Sequence, residues 1–180
     1  MSNFPFIQNQ ILRSNLDLAF VHIVDLLTLS ESESYKSKKT LVSSLRKTII
    51  IHTASVIEAL LLWKLKQVCN TTKVELADEW KYFDIRLIHK ISESQEVISG
   101  FRKKEQRDID RIDFIRVTEL CQKYNILRSK KLKTGIDTVR ELRNRMHIGG
   151  LSEIEKEYKK TDLEFCFDVA ERVKKLVSKI

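Results

Sequence analysis

Along most of this chain apolar side chains recur every three or four residues, the spacing of helices that bury one face. Between Phe6 and Leu29 the repeat runs through Ile7, Ile11, Leu16, Phe20, Ile23, Val24 and Leu27 and predicts a first helix. Ser30 to Lys39 is a serine- and lysine-rich break. A longer helix is predicted from about Thr40 to Val68. It is apolar on most sides between Ile49 and Leu65, so it belongs in the middle of a bundle. Asn70 to Lys73 reads as a turn. Helical spacing returns from Ile112 to Tyr124 and again from Leu132 to Ile148, where Gly149 and Gly150 form a stop. A last helix begins at Thr161, with Glu164 three residues on to complete a capping box. Its inner side carries Leu163, Phe165, Cys166, Val169, Val173 and Val177.

The segment from Val74 to Ile109 departs from this spacing. Glu75 to Phe83 suits a short helix. Ile85 to Ile91 and Val97 to Phe101 flank the polar Ser92-Glu93-Ser94-Gln95, which suits a β-hairpin, with short helices as the alternative. The predicted fold class is therefore mainly α: an antiparallel bundle of four to six helices forming one domain over 1–180, with a small β-hairpin inserted around 85–104.

Composition agrees with a folded chain. The 180 residues suffice for one domain with its own core, and 42% hydrophobic against 32% charged residues excludes disorder as the main state. One proline and four glycines leave long uninterrupted elements. The net charge of +8 favours a polyanionic partner such as RNA. Cys69, Cys121 and Cys166 are scattered within apolar helical runs, which suits reduced thiols in a cytoplasmic core and disfavours a disulfide frame or a zinc site. No export signal is legible, and the apolar run from Thr48 to Leu62 contains His52 and Glu58 and is too short to span a bilayer. Neither a membrane association nor a cofactor is expected.

Candidate chemistry concentrates in Val139-Arg140-Glu141-Leu142-Arg143-Asn144-Arg145-Met146-His147. At about 100° per residue, Arg140, Asn144 and His147 stack along one line with Arg143 at its edge, while Val139, Leu142 and Met146 form a separate apolar face. RNA is cut at its own 2′-hydroxyl when a base takes the hydroxyl proton, an acid protonates the departing 5′-oxygen and positive charge offsets the anionic transition state. Histidine, with an ordinary titration range near neutrality, suits either proton role, and His147 is the candidate for it. Arg140 and Arg143 offer forked donors to phosphate oxygens, and Asn144 can orient the imidazole or donate to phosphate. The plainer alternative is a solvated helix end, where a histidine is favoured by the helix dipole. Glu141 and Arg145 fall on the opposite, wet side.

A late helix reading Arg-x6-His, with an Arg-Asn pair inside it and glycine after it, resembles the HEPN superfamily (higher eukaryote and prokaryote nucleotide-binding domains). The architecture covers most of the chain, and the motif rests on Arg140 to Gly150. RNases of this superfamily carry an arginine with four to six residues between it and a histidine. Arg140 and His147 fit that spacing, whereas Arg143-Asn144 matches the favoured dipeptide but leaves three residues before His147. Both arginines therefore remain candidates. The resemblance implies a metal-independent endoribonuclease that leaves a 2′,3′-cyclic phosphate, often a toxin or a defence effector against phage, with an antitoxin or other regulatory protein as a further partner. It also implies a homodimer in which two Arg/His helices face each other, the second copy supplying the second imidazole. Some members of the superfamily are instead non-catalytic modules that bind nucleotides, RNA or proteins.

Glu58 lies in the apolar run Ala54 to Leu61, where an ionised carboxylate is expensive unless paired. It is expected either to pair with Arg140 or Arg143 across the bundle or to occupy a solvated edge. His52 reads as a packed histidine, and His22 and His89 lack neighbours at metal-ligand spacing. Two basic clusters extend a potential RNA surface: Arg102, Lys103 and Lys104 with Arg107, and Arg128, Lys130 and Lys131 with Lys133. Phe101 and Tyr124 adjoin them as potential stacking residues, with solvated charge runs as the alternative. Trp63 and Trp80 read as packing residues.

Overall fold

The structure is a computed structural model that describes residues 1–72, 78–106, 112–145 and 157–179. These residues form five helices and a two-stranded antiparallel sheet: α1 (Gln10–Glu31), α2 (Lys39–Thr72), β1 (Asp78–Lys90), β2 (Glu96–Gln106), α3 (Phe114–Lys123), α4 (Lys130–Asn144) and α5 (Lys160–Val177). The mainly helical class with a small inserted hairpin is the observed one. The chain forms two compact units, Met1–Leu65 with Phe114–Ile180, and Lys66–Asp113.

The helical unit is built around α2. Ile49, Ile50, Ile57, Leu60, Leu61 and Leu65 are fully enclosed, together with Val117 and Leu120 of α3, Ile136 and Val139 of α4 and Val169 of α5. Each such side chain contributes on the order of 1.5–3 kcal/mol when removed from water. By length and composition alone, 39–68 is long and apolar enough to cross a membrane, whereas the run from Thr48 to Leu62 by itself is too short. Half of its most apolar window is buried within the structure.

Helix boundaries follow local hydrogen bonding. Asn9 caps α1, its side-chain oxygen accepting the Leu12 N–H at 3.0 Å, so the helix starts after the predicted Phe6. The preceding residues turn inward instead, and Phe4 and Ile7 are buried. Phe6 packs against Trp63 with ring centroids 5.7 Å apart. Ile11, Phe20 and Val24, predicted to face inward, are exposed because one helix of this greasiness has more apolar surface than its single packed stripe covers. Phe20 and Val24 border an open apolar cavity of about 340 Å³ between α1, α2 and α5.

α3 ends with Asn125 in the left-handed region (φ 56), and the N–H groups of Ile126 and Leu127 then return to the Cys121 carbonyl. Ser129 caps α4 by accepting the Leu132 N–H, which starts that helix at Lys130. The helix ends at Asn144 with Arg145 as its C-cap, short of the predicted Ile148, and the Gly149-Gly150 stop lies outside the described residues. α5 starts at Lys160 rather than being capped by Thr161. The Asp162 carboxylate accepts the Lys159 N–H at 2.7 Å, displacing the predicted Thr161–Glu164 box by two residues. Tyr158 fixes that entry: its N–H donates to Ser43 and its carbonyl accepts from Arg46, both on α2. Phe165 is exposed, since it falls at the edge of the buried stripe formed by Leu163, Cys166, Val169 and Val173.

In the second unit, α2 continues through the predicted turn at Asn70 to Thr72, and Asp78 to Phe83 is strand rather than helix. The hairpin is longer than predicted. Ile91 and Ser92 donate to the Gln95 carbonyl across its turn. Register shifts fall between Phe83 and Arg86 and between Leu87 and His89. At the first, Asp84 takes a positive φ of 51°, and a Cβ on Gly100 would lie 2.9 Å from the Phe83 carbonyl oxygen. The bulge therefore requires glycine opposite it.

Candidate active site on α4

Helix α4 is two-sided. Ile136, Val139 and Leu142 are buried in the bundle, while Glu141, Asn144 and Arg145 are exposed. Between these faces lie Arg140 and Arg143, whose side chains are 21% and 32% exposed. They are shielded enough for charge to matter more than on an open surface, and open enough to reach a ligand.

Arg143 Nη1 lies 3.5 Å from Glu58 Oε2 of α2. Glu58 is thus paired across the bundle, with Arg143 of the two candidates. The separation makes this an ion pair rather than a strong hydrogen bond, and partial exposure keeps its stabilising effect small. Its consequence is positional: a carboxylate on the core helix limits where the guanidinium can swing.

Arg140 is held differently. Its Nε is 3.8 Å from Asp137 Oδ1, one turn earlier, while Lys133 donates to the other oxygen of that carboxylate at 2.8 Å. Arg140 Nε is shut away from solvent and has no hydrogen-bond acceptor among the described residues. An enclosed donor in that condition costs about 1–3 kcal/mol. Asp137 was missed from the sequence, although Lys133-x3-Asp137-x2-Arg140 has the helical spacing that pairs opposite charges. His147, with Met146, lies outside the described residues.

The structure separates the remaining candidates. Arg128, Lys130 and Lys131 are exposed at the N-terminal end of α4. At 1.5 Å per residue they stand about 20 Å along the axis from Arg143, too far to join one phosphate site with it. Arg128 donates to the Asn125 carbonyl at 3.2 Å, and Tyr124 is half-buried with the Lys123 ammonium over its ring. Arg102, Lys103 and Lys104 belong to β2, where Arg102 and Lys103 are exposed, and Arg107 lies outside the described residues. Trp80 is not a packing residue: it is half exposed, with the Arg102 guanidinium 4.6 Å from its ring centre. Trp63 does pack, against Phe6.

His52 is half-buried and meets His22 of α1 edge-on, ring centres 5.9 Å apart. Cys121 and Cys166 are buried, and the Cys121 thiol donates to the Leu61 carbonyl at 3.7 Å. Burial, reinforced by the negative charge of Asp162, pushes the Cys166 thiol up to about 12. It is inert at neutral pH. Comparison with family models, curated proteins and solved structures finds no match to this chain.

Proposed function

We propose that the chain is a metal-independent endoribonuclease of the HEPN type, acting as a cytoplasmic homodimer in a toxin or phage-defence role under the control of a regulatory protein. The observation that carries this reading is the pair of partly exposed guanidiniums on one edge of α4, Arg143 braced by Glu58 and Arg140 beside Asp137. Phosphate oxygens suit such donors, because forked N–H groups meet them in two directions.

In this mechanism Arg143 and Arg140 hold the non-bridging oxygens of the scissile phosphate and offset the charge that builds up on them. His147 takes the 2′-hydroxyl proton or gives one to the departing 5′-oxygen, and the partner copy's histidine fills the other role. The 2′-oxygen forms a bond to phosphorus as the bond to the 5′-oxygen breaks, which yields a 2′,3′-cyclic phosphate and a free 5′-hydroxyl. Asn144 orients the imidazole. Glu58 touches no substrate and acts by positioning Arg143.

The test is incubation of purified wild-type protein with a mixed RNA pool, with and without EDTA. Cleavage under both conditions is expected. Binding without cleavage in either condition overturns the enzyme reading in favour of a non-catalytic module that uses the same edge.

A further inference from the structure

We infer that one face of the β1–β2 hairpin is a binding surface for single-stranded RNA, gripping phosphates with Lys81, Arg86 and Lys103 and stacking a base on the Phe83–Phe101 pair. The inference deepens the proposed function and rests on it for the choice of RNA among polyanions.

Directly paired residues of an antiparallel ladder project to the same side. Lys81 pairs with Lys103, Phe83 with Phe101 and Arg86 with Ser99, so these side chains share one face on both sides of the bulge. Phe83 and Phe101 are stacked, ring centroids 5.7 Å apart and 19° from parallel. Phe101 is 55% exposed, and Lys81, Arg86 and Lys103 are exposed as well. The result is a flat aromatic step with cations before and after it along the ribbon.

Two features of this face suit a polyanion. Lys81 and Lys103 stand directly opposite each other, which concentrates positive charge at one point of the ribbon. A large aromatic surface is also left open to water beside them. Both are what a strand of RNA requires, since its backbone takes up the cations and an unpaired base covers the ring. The opposite face carries the exposed Tyr82, Leu87 and Ile98, with Trp80 already covered by the Arg102 guanidinium 4.6 Å from its ring centre.

The experiment is fluorescence anisotropy of a labelled 12-nucleotide oligouridine with full-length His147→Ala protein, which removes cleavage from the measurement. Reversing Lys81, Arg86 and Lys103 together to Glu is expected to weaken binding at least about tenfold. It should also flatten the slope of log K against log salt by about 2, since each phosphate left unneutralised removes about 0.7 from that slope. Phe101→Ala is expected to weaken binding about tenfold at constant slope. Ile98→Ser, on the other face, is expected to leave binding unchanged, and circular dichroism checks that each variant keeps the wild-type spectrum. Full-strength binding by the triple variant, equal losses from Ile98→Ser, binding of duplex RNA as tight as single strand, or tighter binding of oligothymidine would each overturn the inference. Loss of cleavage with hairpin-dependent binding intact would overturn the ribonuclease reading alone.

Discussion

At the scale of single residues, several charged groups of the helical unit are tied to named partners, and those ties set their behaviour. Glu58 braces Arg143. Glu58→Gln keeps the shape but removes the charge, so it is expected to lower kcat for RNA cleavage about tenfold with folding intact, whereas Arg143→Ala should cost about 10²–10³-fold as a lost charge stabiliser. Equal activity of wild type and Glu58→Gln would show that the carboxylate positions nothing that reacts. Asp17 has its carboxyl held below the ordinary value, first by the Ser2 hydroxyl and, against some desolvation, by the Asn3 N–H and the Arg13 and N-terminal charges. A depressed folded-state value means that the stabilisation is present above the unfolded value and is lost as pH falls through the folded one. Asp17→Asn should therefore lower the denaturation midpoint at pH 7 and match wild type at the acid end, as read by urea titration at several pH values. Cys166 should resist iodoacetamide at neutral pH in the native protein and react once urea unfolds it, because its thiol is pushed up to about 12.

At the scale of elements, close approach depends on small residues. A Cβ on Gly135 of α4 would meet Val169 Cγ2 of α5 at 3.0 Å. Val169 is a buried β-branched residue whose χ1 is stiff, so it has little room to yield. Gly135→Ala is expected to lower stability by about 1 kcal/mol, the overpacking outweighing the gain in helix propensity, and to lower Tm by about 2–4 °C. A raised Tm would mean that the two helices part without penalty. The helices themselves were legible because a three- and four-residue apolar repeat is a strong signal. Their ends were less so. Asn9 and Ser129 caps were open to reading, but the start of α5 is set by Tyr158 bonding to Ser43 and Arg46, which are distant in sequence. The hairpin was legible from its polar turn, while its extension back to Asp78 was not, since Trp80-Lys81-Tyr82-Phe83 fits a helix or a strand equally well.

At the scale of the whole molecule, the mainly α fold was readable from the same repeat, and the site only in part. Glu58 was singled out because a carboxylate in an apolar run needs a partner, and the structure supplies Arg143. Spacing does not separate the two arginines, which lie on the same edge of α4, and what the structure adds is that Glu58 of α2 pairs with Arg143. Asp137 escaped notice for a related reason: its role lies in the partners it is given. Residues 146–150, which include His147, lie outside the described residues. The proposed mechanism draws its second imidazole from a partner copy, so on that reading the wild-type protein should sediment at twice the mass of its chain, and dilution below the dimer's dissociation range should reduce specific activity.

The ribonuclease reading is tested most directly by the chemistry of the cut ends. Wild-type protein and His147→Ala are each incubated with RNA in EDTA, and the fragments are read by mass spectrometry. Fragments ending in a 2′,3′-cyclic phosphate from the wild type, and none from the variant, are the result expected. Intact RNA with the wild type, or the same fragments with His147→Ala, would contradict it.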